Sequence, residues 1–229
     1  MLPEVLAPCH VALATFTKPM SSASNPSWTH RLARPVVRPL LNTKVRPNHL
    51  TTLRLVSGMA ACLCFAIGTP AGTWWGGWLW LLSAFLDRAD GEFARLGNMM
   101  SAAGHRYDYH SDVAVNSLVF ASLGIGLRGS WSIPIGLIAS LSMLFCLLVS
   151  EWLLQRSPTG TRAYTGRWGF DPDDALYLIA PMAWLGLQGF IVIGTAVCAP
   201  VMTLIISIRL LRMRRAAAAA AAVSCGGQW

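Results

Sequence analysis

Long apolar runs separated by short polar segments dominate the chain, and their lengths predict its elements. The first run is Leu50 to Thr69, with Pro47, Asn48 and His49 ahead of it as a proline-led helix start. The second opens with Trp74, Trp75, Trp78 and Trp80, an interfacial aromatic belt, and continues through Leu86. Val113 to Leu127 and Ile133 to Leu154 are the third and fourth. The last, Ala175 to Ile208, would be about 51 Å long as one helix, against a hydrocarbon core of about 30 Å. A break is therefore expected near Gly186 to Gly189. The fold expected is all-α: a polytopic integral membrane protein with six transmembrane helices. Ahead of them, Arg31, Arg34, Arg38 and Lys44 alternate with Leu32, Val36, Val37, Leu40 and Leu41. That pattern suits a short N-terminal helix lying on the membrane surface, broken by Pro35 and Pro39, with a disordered basic tail as the competing reading.

Composition agrees with the pattern. Hydrophobic residues make up 54% of the 229, charged residues only 12%, far below the roughly 25% usual in soluble domains. The net charge of +8 does not point to nucleic acid, because the basic residues cluster beside apolar runs rather than forming a stripe with interleaved aromatics. Membrane lipids with anionic headgroups, and phosphates, are the partners expected. The six cysteines are scattered and form neither a disulfide framework nor a metal motif. Residues 1–27 lack a cleavable signal pattern, being interrupted by Pro8 and His10, and are expected to be a mobile extension; Met20 is an alternative start.

The chain then divides into a basic juxtamembrane segment over 28–46, a membrane domain over 47–213 and an Ala-rich tail over 214–229. With six spans the N-terminus, the segment between the second and third runs, the segment Gln155 to Asp174 and the C-terminus share one side. The reading assigns to that side every Lys and Arg except Arg128, which makes it the cytoplasm. Five spans would place Arg209, Arg212, Arg214 and Arg215 outside.

One polar stretch, Asp87 to Asp112, changes the picture from a membrane protein to a chemical one. On a helix turning about 100° per residue, Asp87, Asp90, Gly91, Ala94 and Arg95 share a wedge of roughly 140°. Asp108 and Asp112 stand one turn apart on the next helix. Four carboxylates converging at the edge of an apolar chain need cations. An oxygen-only donor set suits Mg²⁺ or Mn²⁺ rather than zinc, and magnesium sites usually leave positions open for phosphate oxygens. Solvated charges on a loop, a carboxylate-lined cation transporter and a noncatalytic scaffold stapled by metal are the other readings. A transporter site belongs near the bilayer midplane, whereas these aspartates follow the end of an apolar run.

The spacing Asp87-x2-Asp90-Gly91-x2-Ala94-Arg95-x8-Gly104-x3-Asp108-x3-Asp112 resembles, without gap or substitution, the signature of the CDP-alcohol phosphotransferases, also called CDP-alcohol phosphatidyltransferases. The resemblance implies a membrane enzyme of phospholipid synthesis that transfers a substituted phosphate from a CDP-alcohol to an acceptor alcohol and releases CMP. It implies CDP-diacylglycerol as donor, the alternative being a soluble CDP-alcohol with a lipid acceptor. By similarity Asp87, Asp90 and Asp108 are metal ligands of a two-metal site, with Asp112 also close to a metal. Asp112 is the candidate general base, since the attacking hydroxyl must lose its proton.

Arg95 would hold a donor phosphate, and Gly91, Ala94 and Gly104 would leave room for cytidine and diphosphate. Asn48 and Thr51 belong to a similar element of the family and are donor contacts or plain capping residues. Arg106, Arg156, Arg162 and Arg167 are candidates for an anionic acceptor, or simply topology charges. Many relatives using glycerol phosphate or inositol phosphate carry Lys or Arg directly after the last aspartate; here Val113 stands there. His105 and His110 read as polar residues flanking the site. The resemblance also implies a homodimer and, for a bacterial protein, the inner membrane with both termini and the site facing the cytosol.

Overall fold

Proline, glycine and small polar residues set the helix boundaries. The structure is a computed structural model and describes residues 28–156 and 172–226. The helices in chain order are α1 (Trp28–Val37), α2 (Pro47–Ile67), α3 (Pro70–Leu96), α4 (Ala102–Gly126), α5 (Ser132–Arg156), α6 (Ile179–Trp184) and α7 (Gln188–Gly226). Pro47 and Pro70 open α2 and α3, where a missing N–H leaves no bond unmade. Thr69 and Ser101 cap α3 and α4 by accepting from the Gly72 and Gly104 amides at 3.1 and 3.0 Å. No strand occurs among the described residues. The expectation of a mobile extension over residues 1–27 falls outside them.

Among the described residues, three helices are long and apolar enough to cross a membrane: Pro47–Ile67, Ser132–Trp152 and Gln188–Met213. Leu141 and Phe145 on α5, with Phe190 and Leu204 on α7, are each more than half exposed, which suits lipid rather than water. In α3 and α4 the apolar runs are shorter, because α3 gives its last turns and α4 its first turns to the polar segment. The expected fifth crossing departs furthest from a regular helix. Its 7 residues Pro172–Leu178 are 3₁₀ and the 6 of α6 are α-helical, together about 23 Å long. The break expected near Gly186 to Gly189 is present, with Gly186 at a φ of 75°, a conformation glycine adopts without strain. Beyond it, α7 continues as helix through the alanines 216–222.

Helices α2, α3 and α4 form the centre, and α5 and α7 pack outside α4. The main core includes Ala61 and Phe65 of α2, Trp80 of α3 and Val115, Val119 and Leu123 of α4. Helices α2, α3 and α4 meet tightly at Gly58, where a Cβ would stand 2.6 Å from Val115 Cγ1 and 2.8 Å from Ser83 Oγ. Gly58→Leu is therefore expected to force the three helices apart, lowering stability by about 1–3 kcal/mol or more; thermal unfolding in detergent checks it. At the other end of the bundle α1 lays Ala33 and Val37 on Ala89 and Phe93 of α3, and Arg34 Nε donates to Glu92 at 3.1 Å. The 3₁₀ segment docks on α3 through Trp80 Nε1, which donates to the Leu176 carbonyl at 2.8 Å, and the Tyr177 hydroxyl, which donates to the Ala84 carbonyl at 2.8 Å.

Candidate active site

The last turns of α3 and the first turns of α4 carry the acidic residues, and α2 closes the space between them. Carboxylate oxygens of Asp87, Asp90 and Asp108 lie within 4.8 Å of one another. Asp90 is buried, whereas the side chains of Asp87 and Asp108 keep 25% and 35% of their surface exposed. The cluster thus has a closed floor and an open mouth. Burial pushes the Asp90 carboxyl up to about 8, with the neighbouring Asp108 adding to it. Burial and Asp87 likewise raise Asp108 to about 6. These acids resist sharing their charge without a cation, and their donors are all hard oxygens. The residues therefore fit Mg²⁺ or Mn²⁺.

Asp112 lies beside this trio with partners of its own. Its Oδ1 accepts from Arg54 Nη2 and, at 3.4 Å, from Asn116 Nδ2 one turn further along α4. Arg54 reaches in from α2, 2% exposed, with Nη1 at 3.4 Å from Asp87 and 3.3 Å from Asp108. Assigning charges by side counts Arg54 with the cytosolic group although it lies inside the first apolar run. Its position was the signal available in the sequence, because an ionisable residue within an apolar helix marks a functional site by default. Asn116 carried no comparable signal.

Thr51 faces the cluster, its hydroxyl donating to Asp90 Oδ2 at 2.6 Å. This contact orients the most buried of the acids. Thr51→Val removes the donor at nearly constant volume, and Mn²⁺ affinity is expected to fall by about 10–100-fold, the usual cost of losing a partner behind a metal ligand; a Mn²⁺ titration followed by thermal shift measures it. Asn48 lies by the start of α4: a Cβ on Gly104 would come 3.3 Å from its Oδ1. At Gly91 the nearest atom to such a Cβ would be Arg95 Nη2 at 3.4 Å, so the glycine leaves an open surface beside the guanidinium. Arg95 is 44% exposed in its side chain; its Nε donates to the Gly91 carbonyl at 3.1 Å and its Nη2 pairs with Glu92 at 3.3 Å. Ala94 is partly exposed on the same helix.

The acceptor candidates are spread more widely. Arg106 is exposed near the start of α4, and Arg156 is the last residue of α5. Arg162 and Arg167 lie outside the described residues. His105 and His110 are exposed; His105 Nε2 is 3.9 Å from Glu151 on α5, and the His110 ring lies against Tyr109. Behind the cluster, Arg88 stands 3.9 Å from Asp87 and 3.7 Å from Asp174, which accepts from the Thr29 hydroxyl of α1 at 3.1 Å. A polar chain thus runs from α1 through the 3₁₀ segment to a metal-ligand candidate.

Comparison with known proteins places this geometry in context. Residues 44–208 match the family described as CDP-alcohol phosphatidyltransferase. No curated protein matches the sequence closely enough to count. Among solved structures, the fold is similar to phosphatidylinositol phosphate synthase of Mycobacterium tuberculosis with CDP-DAG bound, at a TM-score of 0.59 and 18% identity, covering 80% of this chain and 93% of the other. It is also similar to the same enzyme in complex with manganese and citrate, at a TM-score of 0.57 and 21% identity, covering 79% and 88%.

Proposed function

The chain belongs to the CDP-alcohol phosphatidyltransferase family, and from that premise we propose that it transfers a phosphatidyl group from CDP-diacylglycerol to an acceptor alcohol, releasing CMP. The observation that carries this reading is the convergence of Asp87, Asp90 and Asp108, drawn from two helices, beside a fourth carboxylate that is free of their cluster. Manganese and CDP-DAG in the mycobacterial neighbour support it. Asp87, Asp90 and Asp108 would hold two divalent ions, with Asp112 at their edge. When bound, those ions neutralise the diphosphate and stabilise the charge that develops on its oxygens.

The chain's own residues do the rest. Arg95, exposed at the end of α3, pairs with a donor phosphate through its planar fork. Gly91, Ala94, Gly104 and Asn48 line the approach for cytidine and diphosphate, and Thr51, a donor-contact candidate by sequence, is buried behind them on Asp90. The acceptor oxygen forms a bond to the phosphorus that carries the diacylglycerol, and the bond from that phosphorus to the bridging oxygen breaks, so CMP leaves. Asp112 takes the hydroxyl proton as the bond forms. Arg106, Arg156, Arg162 and Arg167 are the candidates for an anionic acceptor.

Six crossings, both termini and the site in the cytosol, α1 on the membrane surface and a homodimer complete the proposal. The tryptophans Trp74 and Trp78, stacked with Trp184 at ring separations of 5.3 and 5.0 Å, would form the opposite interfacial belt. At about 1.5 Å per residue, Asp87 then stands about 20 Å from Trp74, in the far third of the bilayer, where lipid headgroup and soluble acceptor meet.

The test is CMP release by purified protein in detergent with CDP-diacylglycerol and Mn²⁺ or Mg²⁺, screening glycerol phosphate, inositol phosphate, inositol, serine and choline. Acceptor-dependent CMP is expected. Silence with every acceptor but turnover of a soluble CDP-alcohol on a lipid acceptor would replace the donor. Metal-dependent stability with no CMP release from any donor would leave a scaffold, and metal uptake into sealed vesicles a transporter.

A further inference from the structure

The Arg54 guanidinium stands where the acids of α3 and α4 meet, and nothing in the reaction above uses it. Arg54 is 2% exposed, so it does not reach a substrate directly. Its terminal nitrogens face Asp87, Asp108 and Asp112, while its buried Nε has no hydrogen-bond partner among the described residues. Carboxylates, not a neutral hydrogen-bonding socket, therefore set its orientation. The backbone is fixed as well: the Arg54 carbonyl accepts from the hydroxyls of Ser57 and of Ser83 on α3, both at 3.0 Å. Gly58, one turn further on, lets α3 and α4 close on this point.

We propose that Arg54 is a resident cation of the active site, a positioning residue that holds Asp112 against α2 and competes with divalent metal for the carboxylates it pairs with. The inference rests on the metal-binding reading of that trio. A charge buried on an apolar helix is retained only when paired, and here its pairs are the residues of the site. A cation fixed against Asp87, Asp108 and Asp112 repels an incoming divalent ion, which enters over the exposed edges of Asp87 and Asp108. Arg54 also offsets part of the repulsion among the acids before metal arrives, so the cluster stays assembled in its absence.

The experiment is thermal unfolding of the full-length protein in detergent, with and without Mn²⁺, for wild type, Arg54→Met, Arg54→Lys and the charge-balanced pair Arg54→Met with Asp112→Asn. For Arg54→Met the metal-free melting temperature is expected to fall by about 10 °C. Its Mn²⁺ half-saturation is expected to drop about tenfold, because the resident charge no longer opposes the metal. Arg54→Lys keeps the charge, and hence the wild-type Mn²⁺ response, but loses the fork that positions Asp112, so its kcat for CMP release falls while the donor KM holds. The balanced pair recovers metal-free stability relative to Arg54→Met.

An Mn²⁺ response unchanged by Arg54→Met would reduce Arg54 to a packing residue and overturn the inference while leaving the metal site intact. No Mn²⁺ response in wild type would remove the metal reading itself, and this inference with it. Should Arg54→Met alone fail to fold, the balanced pair decides: folded and metal-responsive, it supports the inference; unfolded beside a folded Asp112→Asn, it overturns it.

Discussion

Asp112→Asn is expected to lower kcat for CMP release by roughly 10²–10⁴-fold, the range a positioned general base contributes, while Mn²⁺ still stabilises the protein. Asparagine keeps the shape of the side chain and an oxygen that can accept from Arg54 and Asn116, so the fold around α2 and α4 is preserved. What it loses is the capacity to take a proton. The separation of kcat from metal response is the informative result. If the Mn²⁺ shift disappears together with activity, Asp112 works as a ligand of the trio rather than as its neighbouring base.

The second large effect is expected at Asp90, and it combines opposite signs. Burial has pushed this acid up to about 8, so at neutral pH the metal-free folded protein holds a proton that the unfolded chain releases, which lowers its stability. Asp90→Asn removes the ionisable group and keeps an acceptor for the Thr51 hydroxyl. The metal-free protein is therefore expected to unfold at a higher temperature than wild type, while Mn²⁺ no longer stabilises it. CMP release is expected to fall by at least the roughly 10²–10³-fold that losing one preorganised transition-state contact costs. Such a gain in stability on loss of function is the mark of a site that holds like charges together for binding. A variant less stable than wild type without metal, yet still active, would show Asp90 to be a structural residue of the α2–α3 contact.

Helical repeat alone puts Asp87 and Asp90 on one face of α3 and Asp108 and Asp112 on one face of α4, because i+3 and i+4 neighbours share a face wherever the helix later packs. Proline and glycine chemistry is equally local, so the start of α2 and the break at Gly186 were legible without any partner. The course of the segment expected as a fifth crossing was not. Its residues are apolar enough for a helix, but Trp80 and Tyr177 tie the segment to α3 through carbonyl contacts, and it takes a 3₁₀ course instead.

The division of labour follows from range. By itself the sequence determined an all-helical membrane chain, the helix faces that carry the acids, and the family signature, since each depends on residues within a few turns of one another. Only the tertiary structure decided that three of the acids from α3 and α4 share one cluster, that Thr51 steadies Asp90, and that Arg54 holds Asp112. Thr51 and Arg54 join α2 to residues 33 to 58 positions away in the chain. No local period encodes them; they exist because a glycine at position 58 lets three helices approach closely enough for a buried charge to find its partners.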